Sequence, residues 1–181
     1  MKFSETELVG SFIIDVDYNA DVRGGFARTF CRDEFSAVGL PATMVQAATS
    51  FNAKAGTLRG LHFQLPPFSQ AKLVRVTAGA IFDVMVDLRP ESPTRGRHIG
   101  VELSAKNRRM LFIPKQFAHG FVTLTDAAEI EYQFDEMYAP GTEGGIHYAD
   151  PDLGIKWPRP VEVISERDAA LPLLSEFAAV R

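Results

Sequence analysis

Hydrophobic and polar residues alternate along the middle of the chain in short runs, which is the period of a β-strand rather than a helix. The clearest run is Ala80–Leu88. Phe82, Val84, Val86 and Leu88 fall on one face, and Ile81, Asp83, Met85 and Asp87 on the other. Two faces this apolar predict a strand covered on both sides. Similar runs predict strands over Leu58–Gln64, Lys72–Val76, His98–Leu103, Met110–Ile113, Gly120–Leu124 and Glu129–Phe134. Turn signals separate them, among them Pro66-Pro67, Gly79, Arg89-Pro90 and Pro140-Gly141. Helical periodicity is scarce. One short helix is expected over Asp33–Val38. Another is expected near Ser165, where Ser-Glu-Arg-Asp forms a capping-box pattern with Asp in the place of Glu. Many short strands and few helices predict an all-β fold, a sandwich, jelly roll or barrel. No repeat, low-complexity tract or linker divides the chain, so residues 1–181 read as a single domain.

Composition narrows the function classes. The 181 residues can bury a sizeable core without covalent staples. A net charge of −4 with no basic run argues against a nucleic-acid or anionic-membrane partner, though it leaves room for a local basic pocket. The single cysteine, Cys31, excludes an intramolecular disulfide and a cysteine-based zinc site. Glu5 and Glu7 stand where a signal peptide needs an apolar run, and no stretch is apolar enough for a bilayer span. A cytoplasmic location is the expectation.

Candidate chemistry concentrates in Gly56–Gln64, which puts Arg59, His62 and Gln64 on or beside one strand. A second histidine, His119, ends Ile113-Pro-Lys-Gln-Phe-Ala-His just before a predicted strand. Each histidine also fits a core residue bonded to a carbonyl. Two histidines on neighbouring strands raise the question of a metal, but His62 is followed by Phe63 and Gln64 and no Glu occurs over Phe63–Lys72. A metal normally needs a third protein ligand, so none is expected. Acid–base chemistry remains. A histidine near neutral pKa can take a proton from carbon beside a carbonyl if the developing enolate is stabilised. Lys72, at the start of the next strand, could supply the positive charge, or could be a surface lysine with a buried stem. Tyr132 shares a strand face with Ile130 and Phe134, as a core residue or as a general acid.

These segments occur together in a known order. Arg23-Gly24 with Phe26, Gly56–Gln64, Ala71-Lys72-Leu-Val-Arg75 and Asp83-Val-Met-Val-Asp87-Leu-Arg89 are followed by Phe117-Ala-His-Gly-Phe121 and Tyr132. Tyr138-Ala-Pro140, Ile155-Lys-Trp-Pro158 and Ser165-Glu-Arg-Asp168 complete the series. From about Asp21 to Asp168 the chain resembles the dTDP-4-dehydrorhamnose 3,5-epimerases, a family of cupin-type jelly rolls. The resemblance implies cofactor-free and metal-free epimerisation of a nucleotide-linked 4-keto-6-deoxyhexose at C3, C5 or both. It assigns His62 as the base, oriented by Asp168, with Lys72 at the enolate oxygen and Tyr132 as the acid on the opposite face. Without it, Asp168 reads as an acid in the first turn of a helix. His119 and Asp83 would belong to the polar network around the keto oxygen. Arg59 and Arg23 would meet the diphosphate, with Arg23 reaching a neighbouring subunit's site. Gln46, Tyr138 and Phe26 would serve the nucleoside end. A nucleotide-sugar substrate and a C2 homodimer follow as partners, and the dimer is also suggested by Ala80–Leu88, whose two apolar faces both need cover.

The chain departs from the family at three points. Arg28 stands where Glu is usual, Gln46-Ala47-Ala48 where Gln-Asp-Asn is common, and Tyr148 where a Trp is found. The first two positions serve the nucleoside end, so recognition there is expected to differ. Two other readings stay open from the residues alone: a metal-dependent cupin enzyme, and a non-catalytic cupin that binds a sugar nucleotide.

Overall fold

The computed structural model describes residues 1–177, and residues 178–181 of the expected domain lie outside the described residues. The chain runs β1 (Lys2–Glu5), β2 (Phe12–Asp15), β3 (Asn19–Asp21), β4 (Gly24–Phe26), α1 (Arg32–Ala37), β5 (Gln46–Asn52), β6 (Leu58–Gln64) and β7 (Lys72–Ala78). It continues β8 (Ala80–Asp87), β9 (His98–Ser104), β10 (Met110–Ile113), β11 (Phe117–Thr123), β12 (Ala128–Phe134), β13 (Glu143–Gly145) and α2 (Glu166–Ala169). Six strands form a large sheet in the order β1-β2-β10-β7-β12-β5. Five form a smaller one, β13-β6-β11-β8-β9, and β3 and β4 pair as a separate hairpin. The fold is all-β, a cupin-type jelly roll with two short helices.

Alternation decides which side chains meet. Ile81 and Met85 of β8 join Val74, Leu111, Phe121 and Ile130 in the core between the sheets. Val84 and Val86 point the other way, against Leu61, Phe63, Leu153 and Trp157. That outer layer consists largely of the chain after β13, whose Leu174 and Phe177 pack on the small sheet. β8 is therefore covered on both faces, as its pattern predicted, but by its own chain, so the pattern is no argument for a second copy. The outer face of the large sheet is covered by α1, a six-residue helix too short to hold itself together. Phe35 anchors it with no exposed surface, edge-on to Phe3 at 5.3 Å and to Phe112 at 6.5 Å. Burial of such a side chain contributes about 1.5–3 kcal/mol.

The seven expected strands are all present, with ends that differ by a few residues. The largest difference is at β11, which begins at Phe117, so His119 lies within a strand and not before one. Gln116 takes a left-handed conformation (φ 63°), which turns the chain sharply, and Phe117 is buried as the first inward residue after it.

Candidate active site

A cleft of about 400 Å³ opens between the two sheets. The small sheet contributes Arg59 and His62 from β6 and His119 from β11. The large sheet contributes Lys72 from β7, Tyr132 and Phe134 from β12, and Ala48 and Ser50 from β5. Ser165, Arg167 and Asp168 close it from α2 and its cap. A second hollow of about 220 Å³ shares His62, Lys72, Phe134 and Arg167 and extends to Tyr138 and Glu143.

Arg59 and His62 are three positions apart and should face opposite sides of a regular strand. A bulge puts both in the cleft. Arg59 pairs with Phe121 but His62 pairs with His119, so β6 carries one residue more than β11 between the two pairs. Gly60 occupies the bulge with φ 126°, and a Cβ there would lie 2.5 Å from the Cα of Gly120. The bulge also releases a backbone donor: Gly60 N–H donates to Asp168 Oδ2 at 3.0 Å.

The other carboxylate oxygen, Asp168 Oδ1, lies 2.8 Å from His62 Nε2. Ser165 Oγ accepts from the Asp168 backbone N–H at 3.1 Å and caps α2, but the expected capping box is only half made, because the Asp168 side chain turns to Gly60 and His62 instead of back to the Ser165 N–H. Asp168 is thus held on a capped turn, buried, with both oxygens engaged. Nε2 carries the proton that a carboxylate requires, and the ring's Nδ1 is left as the basic nitrogen. Burial pushes the imidazole of His62 below its ordinary 6.5, Asp168 opposes that, and Lys72 and Arg167 push it further down. The ring is neutral at neutral pH.

Lys72 is buried, and its ammonium donates to the His62 carbonyl oxygen at 3.1 Å. Burial pushes its pKa down to about 8, while the charge of Asp83 opposes the shift. Asp83 is fully buried on β8, and its Oδ1 lies 2.6 Å from His119 Nε2. Its Oδ2 has no protein partner among the described residues. The Tyr132 ring meets His119 edge-on at 6.1 Å and stacks on Phe134 at 5.9 Å. Burial, and then the charge of Asp83, raise its phenol well above the usual value, so it keeps its proton.

The structure therefore brings His62, Lys72, Tyr132, Asp168, His119, Arg59 and Asp83 to one place. Gln46 and Tyr138 sit together at the margin, where Gln46 Oε1 accepts from the Tyr138 backbone N–H at 3.1 Å. The Tyr138 hydroxyl donates to Glu143. Arg23 and Phe26 are not brought to this cleft. They lie on the β3–β4 hairpin, which pairs with neither sheet; Phe26 is 75% exposed and Arg23 pairs with its own neighbour Asp21. Arg28 pairs with Glu34 of α1, also away from the cleft. Gln64 is buried and fastens the 137–139 backbone. Among the described residues no group of three or more His, Cys, Asp or Glu is placed to hold a metal. Sequence reasoning missed Arg167, Glu143 and Phe134 as cleft residues. Arg167 was within reach, because the Ser165-capped turn that delivers Asp168 carries its neighbour with it.

The cleft thus holds a His–Asp dyad, a buried lysine and a tyrosine on the facing sheet. A match to the dTDP-4-dehydrorhamnose 3,5-epimerase family covers residues 5–176. The chain belongs to that family. The dTDP-4-dehydrorhamnose 3,5-epimerase of Methanothermobacter thermautotrophicus is 46% identical over 170 residues, 92% of this chain and 91% of that protein. The crystal structure of the dTDP-4-dehydrorhamnose 3,5-epimerase from Elizabethkingia anophelis superposes with a TM-score of 0.94 at 38% identity, covering 98% of both chains. The Legionella pneumophila dTDP-6-deoxy-D-glucose-3,5-epimerase, solved in complex with dTDP-4-keto-L-rhamnose, gives 0.92 at 40% identity over 98% of this chain and 95% of that one. Membership in this epimerase family makes the chain a carbohydrate epimerase.

Proposed function

We propose that this cleft epimerises a dTDP-linked 4-keto-6-deoxyhexose at C3, C5 or both, with His62 as the base and Tyr132 as the acid. The observation that carries the reading is placement: His62 stands on the small sheet and Tyr132 on the large sheet, with the cleft between them. His62 Nδ1 takes the proton from carbon beside the 4-keto group. The C–H electron pair moves into the ring and onto the keto oxygen as an enolate. Lys72 offers its positive charge to that oxygen, with His119 held by Asp83 as a second polar partner. The enolate collapses back to the ketone while Tyr132 delivers a proton to the other face of the same carbon. One C–H bond breaks and one forms, with inverted configuration and no net oxidation. Proton exchange with solvent then restores the imidazole and the phenol. Asp168 stabilises the imidazolium that forms and fixes the tautomer of the base.

Arg59 is the diphosphate anchor in this reading, and Gln46 and Tyr138 meet the nucleoside end. The dTDP label comes from the ligand in the Legionella structure and from the names of the relatives. A homodimer belongs to the same reading: Arg23 and Phe26 stand exposed on a hairpin that could serve a second copy's cleft. Among the described residues no helix is long and apolar enough to cross a membrane, and we place the enzyme in the cytoplasm.

The test is proton exchange in D2O with dTDP-4-keto-6-deoxyglucose, followed by NMR at C3 and C5. The expected result is deuterium at the inverted carbon, abolished by His62→Ala. Tyr132→Phe should still exchange the proton but return it to the face it left. Native exchange in His62→Ala would refute the assignment of the base.

A further inference from the structure

Arg59 differs from most arginines of this chain in what holds it. Arg75 pairs with Glu131 and Arg89 with Asp87, each at 2.6 Å, so a carboxylate cancels much of each charge. Among the described residues no carboxylate pairs with Arg59. Its Nε–H donates to Asn52 Oδ1 at 2.7 Å, and one Nη2–H donates to the Phe51 carbonyl at 3.4 Å. Both acceptors are neutral, and the remaining guanidinium donors are left for the cleft.

Asn52 is built for this task. It ends β5, is only 2% exposed, and pairs in register with Ala128 of β12. Its Nδ2 donates to the Ser50 carbonyl at 3.3 Å and the Ala128 carbonyl at 3.4 Å. Those contacts determine which end of the amide faces Arg59, because an inverted amide would set its NH2 against the guanidinium. We propose that Asn52 is a positioning residue that aims the Arg59 guanidinium at the substrate diphosphate while leaving its charge intact. The inference rests on Arg59 as the diphosphate anchor. A neutral acceptor suits the task, since an aspartate would orient the fork equally well but cancel the charge that the anion needs.

The experiment is a cycle of Asn52→Ala, Arg59→Ala and the double variant, with Asn52→Asp as an isosteric fourth. Steady-state kinetics with dTDP-4-keto-6-deoxyglucose and calorimetric binding of dTDP are measured for each. Asn52→Ala should raise KM and the Kd for dTDP about tenfold with kcat within about twofold, the scale of one hydrogen bond to a charged group. It should add nothing once Arg59 is alanine. Asn52→Asp, which keeps the shape of the site, should raise KM further. If Arg59→Ala raises KM but Asn52→Ala does not, the positioning role is wrong while the anchor stands. An equal effect of Asn52→Ala with and without Arg59 means that Asn52 acts through β5, and it overturns the proposal too. No effect of Arg59→Ala on KM or Kd would remove the anchor itself.

Discussion

Replacing Asp168 with asparagine keeps the shape of the dyad and should nevertheless disable it more thoroughly than alanine does. The reason is the second hydrogen bond. Gly60 N–H donates to one carboxylate oxygen at 3.0 Å and His62 Nε2 lies 2.8 Å from the other. An asparagine can satisfy Gly60 only with its carbonyl, which turns its NH2 toward Nε2. The imidazole must then accept there and carry its proton on Nδ1, so the basic lone pair no longer faces the cleft. Flipping the amide restores the tautomer but sets its NH2 against Gly60 N–H, at about 1–3 kcal/mol for buried donors without acceptors. Loss of the carboxylate that stabilises the imidazolium adds about 1.5–3 kcal/mol. Together these reach roughly 2.5–6 kcal/mol, or about 10²–10⁴ in turnover at 1.36 kcal/mol per decade. That range matches the value of a positioned general base. In Asp168→Ala both tautomers stay accessible and only the carboxylate is lost, so about 10- to 150-fold is expected. The assay is kcat for deuterium incorporation by NMR, with circular dichroism to confirm folding. Turnover in Asp168→Asn within threefold of the native enzyme, or higher than in Asp168→Ala, would refute the reasoning.

Three other expectations follow from the geometry. The pH–rate profile should be bell-shaped: activity falls on the acid side as His62 gains a proton, with a midpoint below 6.5 because burial lowers its pKa, and on the alkaline side near 8 as Lys72 loses its charge. Replacing Lys72 with arginine, whose charge persists to far higher pH, should abolish the alkaline limb even if turnover drops. Gly60→Ala should cost about 1–3 kcal/mol, because φ is 126° and the added Cβ would lie 2.5 Å from Gly120 Cα; thermal melting should show a fall of several degrees. Light scattering at micromolar concentration should give the mass of a dimer, and a monomer mass would remove the role given to the β3–β4 hairpin.

The parts of the fold legible in the sequence are those where burial imposes a period. β8 alternates because its faces meet two different cores, and Leu58–Gln64 and Met110–Ile113 were read to the residue. β5 escaped notice because Gln-Ala-Ala-Thr-Ser-Phe-Asn is an edge strand, mostly exposed and without alternation. That gap hid Asn52, since nothing in its composition marks it as the partner of Arg59. Gly60 did leave a signal: a lone glycine inside a strand pattern marks a bulge, and this one is what puts Arg59 and His62 on the same side. Asp168 is legible as an acid in the first turn of a helix, but its place beside His62 comes only through the family resemblance. A contact across 106 positions leaves no local trace.

That separation bears on how the enzyme comes into being. A ribosome releases His62 into the growing chain long before the carboxylate that tunes it. The segment carrying Asp168 arrives only after the strands of both sheets have been made, and it docks as the last layer on the small sheet through Leu174 and Phe177. Until that segment is in place, His62 has no carboxylate to fix its tautomer. The dyad is thus complete only when a late segment of the chain has joined strands made long before it.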